Sequence, residues 1–285
     1  MSIPAASIPA DTAPVGLRAS DNTARTLDKF YTKSAVARQC TAFFETCSGI
    51  ELSKSRADIL EPSAGAGAFL DHLPDATLAY DLAPEDPRVE RQDFLGLTRE
   101  APAIVIGNPP FGKASRLAVK FFNHAAGFAS HIAFIVPRTF EKSSVQNRLD
   151  RSFSLIGQMP LKRDSFTFAG ESYAVPCAFQ VWARTLEQRP VITLPRVHPD
   201  FSFVRREAAD FAFQRVGVRA GTVKVRFEAA SAASHHFIRS NVPLESLLSR
   251  FAEIDFSDVK ARTAGNPSIS KTELVALYTE AARRR

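Results

Sequence analysis

An asparagine, two prolines and a phenylalanine at residues 108–111 directly follow an apolar stretch at residues 103–106. Because proline fixes the backbone, the side-chain oxygen of Asn108 and the carbonyl oxygen of Pro109 can point into one site. Two such acceptors would bind both hydrogens of an exocyclic NH2 group and turn its nitrogen lone pair outward, towards an electrophile. Phe111 can stack on the ring that carries the amine. Although Asn-Pro-Pro is also a good turn former, this motif predicts chemistry on an amino group.

A glycine-containing loop, Glu-Pro-Ser-Ala-Gly-Ala-Gly at residues 61–67, lies between a predicted strand at residues 57–60 and a predicted helix through Phe69 and Leu70. Glycines two residues apart at such a turn let the backbone approach a ligand and expose the first amides of the helix. The loop has neither the lysine of a triphosphate-binding loop nor the third glycine of the dinucleotide fingerprint. It therefore predicts a ligand site of another kind.

Two aspartates follow the glycine loop along the same α/β unit. Asp81 ends the predicted strand at residues 77–81, where an acidic side chain can accept hydrogen bonds from a ribose diol. Asp93 is suited to bind an adenine amine, and Phe94 is suited to stack on the adenine ring. Their order after the glycine loop predicts a nucleoside-containing cofactor at the carboxyl ends of parallel strands.

The elements that must position these residues alternate along the chain. Apolar strands are predicted at residues 57–60, 77–81, 103–106 and 131–136, and helices from about residue 28 and at 117–126. Such buried strands separated by helices predict an α/β fold with a mostly parallel sheet. Residues 153–159 and 176–185 predict an antiparallel pair at the sheet edge, with residues 165–170 in the loop between them.

The C-terminal part of the chain has a different residue pattern, which predicts a separate small lobe. Short strand-like stretches at residues 201–204, 211–215 and 223–227 carry arginines and lysines, and Ser270 and Glu273 form a capping-box pattern at the start of a last helix. We expect a flexible arm at residues 1–26, a catalytic domain at 27–186 and a small target-recognition lobe at 187–285.

Composition and charge bound the classes of function. The 285 residues are 45% hydrophobic and include 23 phenylalanines, which excludes disorder and a coiled coil. The net charge of +6 is concentrated after residue 185, where basic residues outnumber acidic ones, and this indicates a polyanionic partner. The three cysteines lack Cys-x-x-Cys spacing, and no apolar run has the length of a membrane span. We expect a cytoplasmic protein without metal or membrane attachment.

The motifs together resemble the amino-group methyltransferases that use S-adenosylmethionine, particularly the DNA adenine-N6 type. Phe30, Tyr31 and Thr32 are similar to the upstream motif of that family, residues 61–67 to its glycine loop, and residues 108–111 to its catalytic tetrad. The resemblance spans about residues 29–185 and implies a Rossmann-like methyltransferase fold. Lys33 and Phe111 depart from the residues that are commoner in the family at these places, proline and tyrosine.

The resemblance also implies a role for each matching residue. It places the cofactor S-adenosyl-L-methionine against Phe30, Tyr31, Thr32, Glu61, Gly65, Gly67, Asp81, Asp93 and Phe94. It assigns the target base to Asn108, Pro109, Pro110 and Phe111. Charge and position add Lys113, Arg138 and Lys142 as expected nucleic-acid contacts.

The implied reaction is direct transfer of a methyl group to the N6 amine of a flipped adenine in DNA. Gly112 and Lys113, directly after the tetrad, also occur in RNA adenine methyltransferases, so structured RNA stays open as the substrate. The same tetrad is used to methylate glutamine side chains of proteins, which the basic C-terminal part disfavours. A noncatalytic subunit that only positions nucleic acid is the alternative from another functional class.

Overall fold

A computed structural model describes residues 30–168, 171–173, 175–263 and 265–283. The expected arm at residues 1–26 and the expected helix start near residue 28 lie outside this part of the chain. The strands are β1 Tyr31–Thr32, β2 Asp58–Glu61, β3 Leu78–Asp81, β4 Glu90–Arg91, β5 Ala103–Gly107, β6 Ala129–Pro137, β7 Phe153–Pro160, β8 Phe166–Phe168, β9 Glu171–Tyr173, β10 Cys177–Arg184, β11 Phe201–Phe203, β12 Phe211–Gln214, β13 Val223–Lys224 and β14 His235–Ser240. The helices are α1 Ser34–Ser48, α2 Arg116–Ala125, α3 Ser143–Gln146, α4 Leu244–Glu253, α5 Ser257–Ala261 and α6 Lys271–Arg283.

The main sheet has seven strands in the order β4-β3-β2-β5-β6-β10-β7. Strands β2 to β6 are parallel to one another, and β10 is antiparallel to both β6 and β7. The expected mostly parallel α/β fold is therefore confirmed. The expected antiparallel pair at the edge of the sheet is also confirmed, because β10 pairs antiparallel with β7, which is the last strand of the sheet. Every residue of β10 up to Trp182 is buried, which requires a neighbour on both sides.

Two apolar clusters cover the two faces of this sheet. On one face α1 buries Ala37, Cys40 and Phe44, whose spacing of three and four residues forms one helical stripe. On the other face α2 buries Val119 and Phe122 against the sheet. Strand β5 is buried along its whole length, as its uninterrupted apolar run predicts.

Two local predictions about the main sheet are wrong. The segment after the glycine loop forms turns and a short 3-10 helix, Leu70–His72, and no α-helix. The stretch between the loop and Pro74 is too short for several helical turns. Residues 165–170 contain β8, which pairs with β1 and β9 in a separate three-stranded antiparallel sheet.

The C-terminal part folds around its own apolar cluster. Strands β11-β14-β12-β13 form an antiparallel sheet that packs against α4, α5 and α6. The predicted capping box is confirmed: the Ser270 N–H donates to Glu273 Oε2 at 2.8 Å, and the Glu273 N–H donates to Ser270 Oγ at 3.3 Å. This cluster is separate from the two apolar clusters of the main sheet, and the division of the chain into three domains stays a prediction.

Candidate active site

A cavity lies at the carboxyl ends of β2, β3 and β5, where the strand order reverses direction and open α/β sheets bind their ligands. Its empty volume of about 870 Å³ includes space that opens to solvent. The predicted site residues that line it are Phe30, Tyr31, Thr32, Glu61, Gly65, Asp81, Asp93, Phe94, Asn108 and Pro110. The structure thus brings the predicted upstream motif, the glycine loop, both aspartates and Asn108 into one place.

The Asn108 side chain is held in a single orientation. Its Nδ2 donates to the Phe30 carbonyl and to Thr32 Oγ1, each at 3.1 Å. The carbonyl can only accept, so the amide nitrogen must face these partners. Asn108 Oδ1 is consequently left buried without a hydrogen-bond partner among the described residues. The backbone is fixed as well, because Ser63 Oγ donates to the Asn108 carbonyl at 3.0 Å.

Glu61, at the end of β2, is a second buried acceptor in the cavity. It is 2% exposed, and its Oε2 has no hydrogen-bond partner in the part of the chain that the structure describes. Burial first, and the negative charge of Asp81 second, raise the pKa of this carboxyl to about 8, although the positive charge of Arg88 opposes the shift. A cation placed beside Oε2 would reverse this shift, because it would stabilise the charged form.

Asp81 connects the end of β3 to the glycine loop. Its Oδ2 accepts a hydrogen bond from the Gly65 N–H at 2.9 Å, and its Oδ1 accepts one from the Ala83 N–H at 2.8 Å. A carboxylate oxygen can accept more than one hydrogen bond, so both oxygens can also receive hydroxyl donors from the cavity. Asp81 therefore holds the loop in place and presents acceptors to a ligand.

Asp93 and Phe94 also line the cavity. Asp93 Oδ1 accepts from the Leu95 N–H at 3.0 Å and caps a short 3-10 helix. Phe94 is 1% exposed, and its ring packs against Phe121 and His124 with centroids 5.1 and 4.9 Å away. The ring therefore contributes a firm apolar wall.

Tyr31 lies over the glycine loop. Its Cε1 is 3.7 Å from the position that a Cβ would take at Gly65, so any larger residue there would meet the ring. The Tyr31 hydroxyl donates to Glu85 Oε1 at 2.6 Å. Burial and the neighbouring Glu85 carboxylate raise the pKa of the phenol above its usual range. Tyr31 thus stays a neutral donor.

Gly67, Pro109 and Phe111 do not line the cavity. Gly67 has a φ of +78°, and a Cβ there would lie 2.5 Å from Asp86 Oδ2. The absence of a side chain at Gly67 therefore leaves room for the side chain of Asp86. The Phe111 carbonyl accepts from two amides at the start of α2, and its ring packs against the apolar cluster on the α1 face. Their assigned roles stay predictions.

The three basic residues expected at the nucleic acid differ in their surroundings. Lys113 is exposed on the loop after the tetrad. Arg138 donates to Glu141 at 2.8 Å and to Asp258 of α5 at 2.6 Å. Lys142 lies 3.4 Å from Glu273 of α6. Arg138 and Lys142 therefore join the main sheet to the C-terminal part, and contact with nucleic acid stays a prediction for all three.

Several lining residues were not identified from the sequence, among them Ser63, Leu82 and Gln92. Leu82 is 55% exposed although it is apolar, and it lies directly after Asp81. An apolar residue at the end of a predicted strand was the sequence signal that could have identified Leu82 as a lining residue. Ser63 carries no such signal, because its bond to Asn108 joins two loops that are 45 residues apart.

No family model and no curated protein matches the chain. Among solved structures, one described as an RNA methyltransferase from Pyrococcus horikoshii has a TM-score of 0.43 and 14% identity, over 56% of this chain and 88% of that chain. The methyltransferase subunit of a type I restriction-modification system from Streptococcus thermophilus has a TM-score of 0.39 and 13% identity, over 57% of this chain and 47% of that chain. Magnesium protoporphyrin IX methyltransferase from Synechocystis has a TM-score of 0.38 and 14% identity, over 60% of this chain and 86% of that chain. The chain is similar to these proteins in its general α/β architecture.

Two searches of the described residues gave no further site. No group of three or more His, Cys, Asp or Glu side chains in this part of the chain is arranged to hold a metal ion. Within the same residues, no helix combines the length and the apolar character that crossing a membrane requires.

Proposed function

We propose that this protein is a methyltransferase that uses S-adenosyl-L-methionine to methylate the N6 amine of adenine in DNA. The proposal rests on Asn108, whose Nδ2 is bonded inside the protein while its Oδ1 is buried at the cavity without a donor. A buried polar atom without a partner costs about 1–3 kcal/mol. An amine N–H in the cavity would remove that cost, so the site is built to receive one.

The residues of the cavity fit the proposed cofactor. Glu61 Oε2 is a buried acceptor without a partner and suits the ammonium group of the methionine portion. Asp81 presents its carboxylate for the ribose hydroxyls, and the exposed Leu82 offers an apolar surface for a ring. When bound, the cofactor supplies an electrophilic methyl group on a sulfonium.

The protein's own part is to hold and orient the target amine. Asn108 Oδ1 accepts one amine hydrogen. The resemblance of the motif assigns the other to the carbonyl of Pro109, a residue outside the cavity lining, and two such acceptors direct the nitrogen lone pair away from them. As the amine reacts, positive charge develops on its nitrogen, and both acceptors stabilise that charge. A base must leave its stack to reach a cavity of this kind. The choice of adenine and of DNA rests on the resemblance of the sequence motifs.

The test is methyl transfer from labelled S-adenosylmethionine to duplex DNA, single-stranded DNA, structured RNA and bulk protein, with the modified nucleosides and amino acids resolved by mass spectrometry. We expect N6-methyladenine in DNA. In Asn108→Ala, loss of the positioned acceptor should reduce transfer about 100-fold or more while cofactor binding persists. Asn266→Ala, at an exposed asparagine of the C-terminal part, is the matched control and should keep full activity.

Each other outcome has a definite meaning. The same product in RNA alone would keep the chemistry and change the polymer, and methylglutamine would identify a protein substrate. An active Asn108→Ala protein would refute the role of the asparagine. Cofactor binding without transfer to any polymer would favour a noncatalytic subunit.

A further inference from the structure

The β12–β13 hairpin and its flanks, residues 211–227, form a surface of one charge sign, here named the basic hairpin. This stretch contains four basic residues and no acidic one. They are Arg215, Arg219, Lys224 and Arg226. A surface without a binding role ordinarily intersperses both signs of charge, so a concentration of this kind needs an explanation.

The basic residues of the hairpin are not neutralised by the rest of the protein. Among the described residues, no carboxylate lies within ion-pair distance of any of the four. The basic side chains that join the main sheet to the C-terminal part behave differently, because Arg138 and Arg262 share Asp258 and Lys142 pairs with Glu273. The hairpin therefore carries four positive charges that no described carboxylate offsets within ion-pair distance.

The surroundings of the hairpin show the same excess of positive charge. Burial first, and the charges of Arg215 and Lys271 after it, lower the pKa of His236 to about 4. On the neighbouring position of β14, Lys224 Nζ lies 3.0 Å from His235 Nε2. Burial also lowers the pKa of His235, so both histidines are neutral near pH 7 and the positive charge beside them comes from the lysines and arginines.

The hairpin is held in place by contacts that lead to the edge of the main sheet where the carboxyl ends of the parallel strands lie. The Ile269 N–H donates to the Arg215 carbonyl at 2.9 Å, and Lys260 Nζ of α5 lies 3.5 Å from the Val218 carbonyl. Two residues before Lys260 on the same helix, Asp258 binds Arg138, which directly follows the carboxyl end of β6. One short helix therefore connects the hairpin to the edge that carries the candidate active site.

The hairpin also exposes apolar side chains between its cations. Val218 is 85% exposed and Val225 is 59% exposed, and each is adjacent in sequence to an exposed arginine, Arg219 or Arg226. Nucleic-acid surfaces combine phosphates, which attract the cations, with sugar and base edges, which accept apolar contacts. The chemistry of the hairpin matches that combination.

We propose that the basic hairpin binds the phosphate backbone of a nucleic acid and holds it beside the candidate active site. This inference rests on the proposed function for the identity of the partner. The exposed pair Arg219 and Arg226 carries the test, because both side chains project from the surface and neither has an ion-pair partner in the described part of the chain.

The experiment compares Arg219→Gln/Arg226→Gln with Arg38→Gln/Lys120→Gln, which removes two exposed charges from α1 and α2. Binding of labelled duplex and single-stranded oligonucleotides is measured by fluorescence anisotropy at increasing salt concentration. Loss of two phosphate contacts should flatten the slope of log K against log salt by about 1.8 for duplex or about 1.4 for single strands. At the lowest salt, binding should weaken roughly 10- to 100-fold, whereas the control pair should match the unmodified protein.

An unchanged slope and affinity in the hairpin variant would overturn the inference, and so would an equal loss in the control pair. Binding to heparin without binding to either oligonucleotide would also overturn it. The outcome is separable from that of the proposed function. Methyl transfer to DNA with an unchanged salt slope would refute the hairpin alone. Hairpin-dependent binding without transfer to any polymer would refute the catalytic proposal alone.

Discussion

The buried Glu61 makes the stability of the protein without cofactor depend on pH. In the folded protein, burial first and the charge of Asp81 second raise the pKa of this carboxyl from 4.5 to about 8. The unfolded chain releases the proton near pH 4.5, and the folded chain keeps it until about pH 8. Unfolding between these values therefore releases a proton, so stability should fall as the pH rises through this window.

The magnitude follows from the two pKa values of Glu61. Each pH unit between them corresponds to about 1.4 kcal/mol. The gap from 4.5 to about 8 then gives an effect of about 5 kcal/mol in the free energy of unfolding. Between roughly pH 5.5 and 7.5, where other carboxylates change little, the expected loss is about 3 kcal/mol.

The assay is urea unfolding of the unmodified protein and of Glu61→Gln at several pH values in that window. Because glutamine does not ionise, the variant lacks this proton release, and titrations of other groups cancel in the difference between the two proteins. We expect that difference to move by about 3 kcal/mol in favour of the variant as the pH rises. Glu90→Gln, at an exposed carboxylate of β4, controls for the removal of one charge.

A difference between Glu61→Gln and the unmodified protein that stays constant across the window would refute the reasoning. It would mean that Glu61 is already ionised in the folded protein and that an unrecognised partner compensates its burial. The interpretation of Oε2 as an acceptor that awaits a cationic ligand group would then fail with it.

Two further predictions concern the supports of the site. Gly67→Ala should destabilise the protein by about 1–3 kcal/mol in thermal unfolding, because alanine is strained at a φ of +78° and its Cβ would displace Asp86. An unchanged melting temperature would show that the loop relaxes without cost. Arg138→Met should lower the free energy of unfolding in urea by about 1–3 kcal/mol, because Glu141 and Asp258 lose a shared charged donor. An unchanged value would show that this contact between the main sheet and the C-terminal part contributes no net stability.

The sequence by itself determined that the predicted site residues converge. Buried apolar runs identified the parallel strands β2, β3 and β5, and the polar residues that follow them had to meet at one edge because parallel strands end on the same side. The capping box at Ser270 and Glu273 was equally predictable, since both partners lie within one helical turn. In each case the decisive interactions are local or repeat along a regular element.

Only the tertiary structure decided which partners surround each predicted site residue. Asn108 is oriented by Phe30 and Thr32, which lie 78 and 76 residues away, and this contact leaves Oδ1 as a buried acceptor without a partner among the described residues. Arg138 is joined to Asp258 across 120 residues. These partners depend on how loops and lobes pack together, and no local pattern encodes that. Asn108 Oδ1 lacks a hydrogen-bond partner among the described residues, and Glu61 has a raised pKa, because both groups are buried. Burial exists only once the chain has folded.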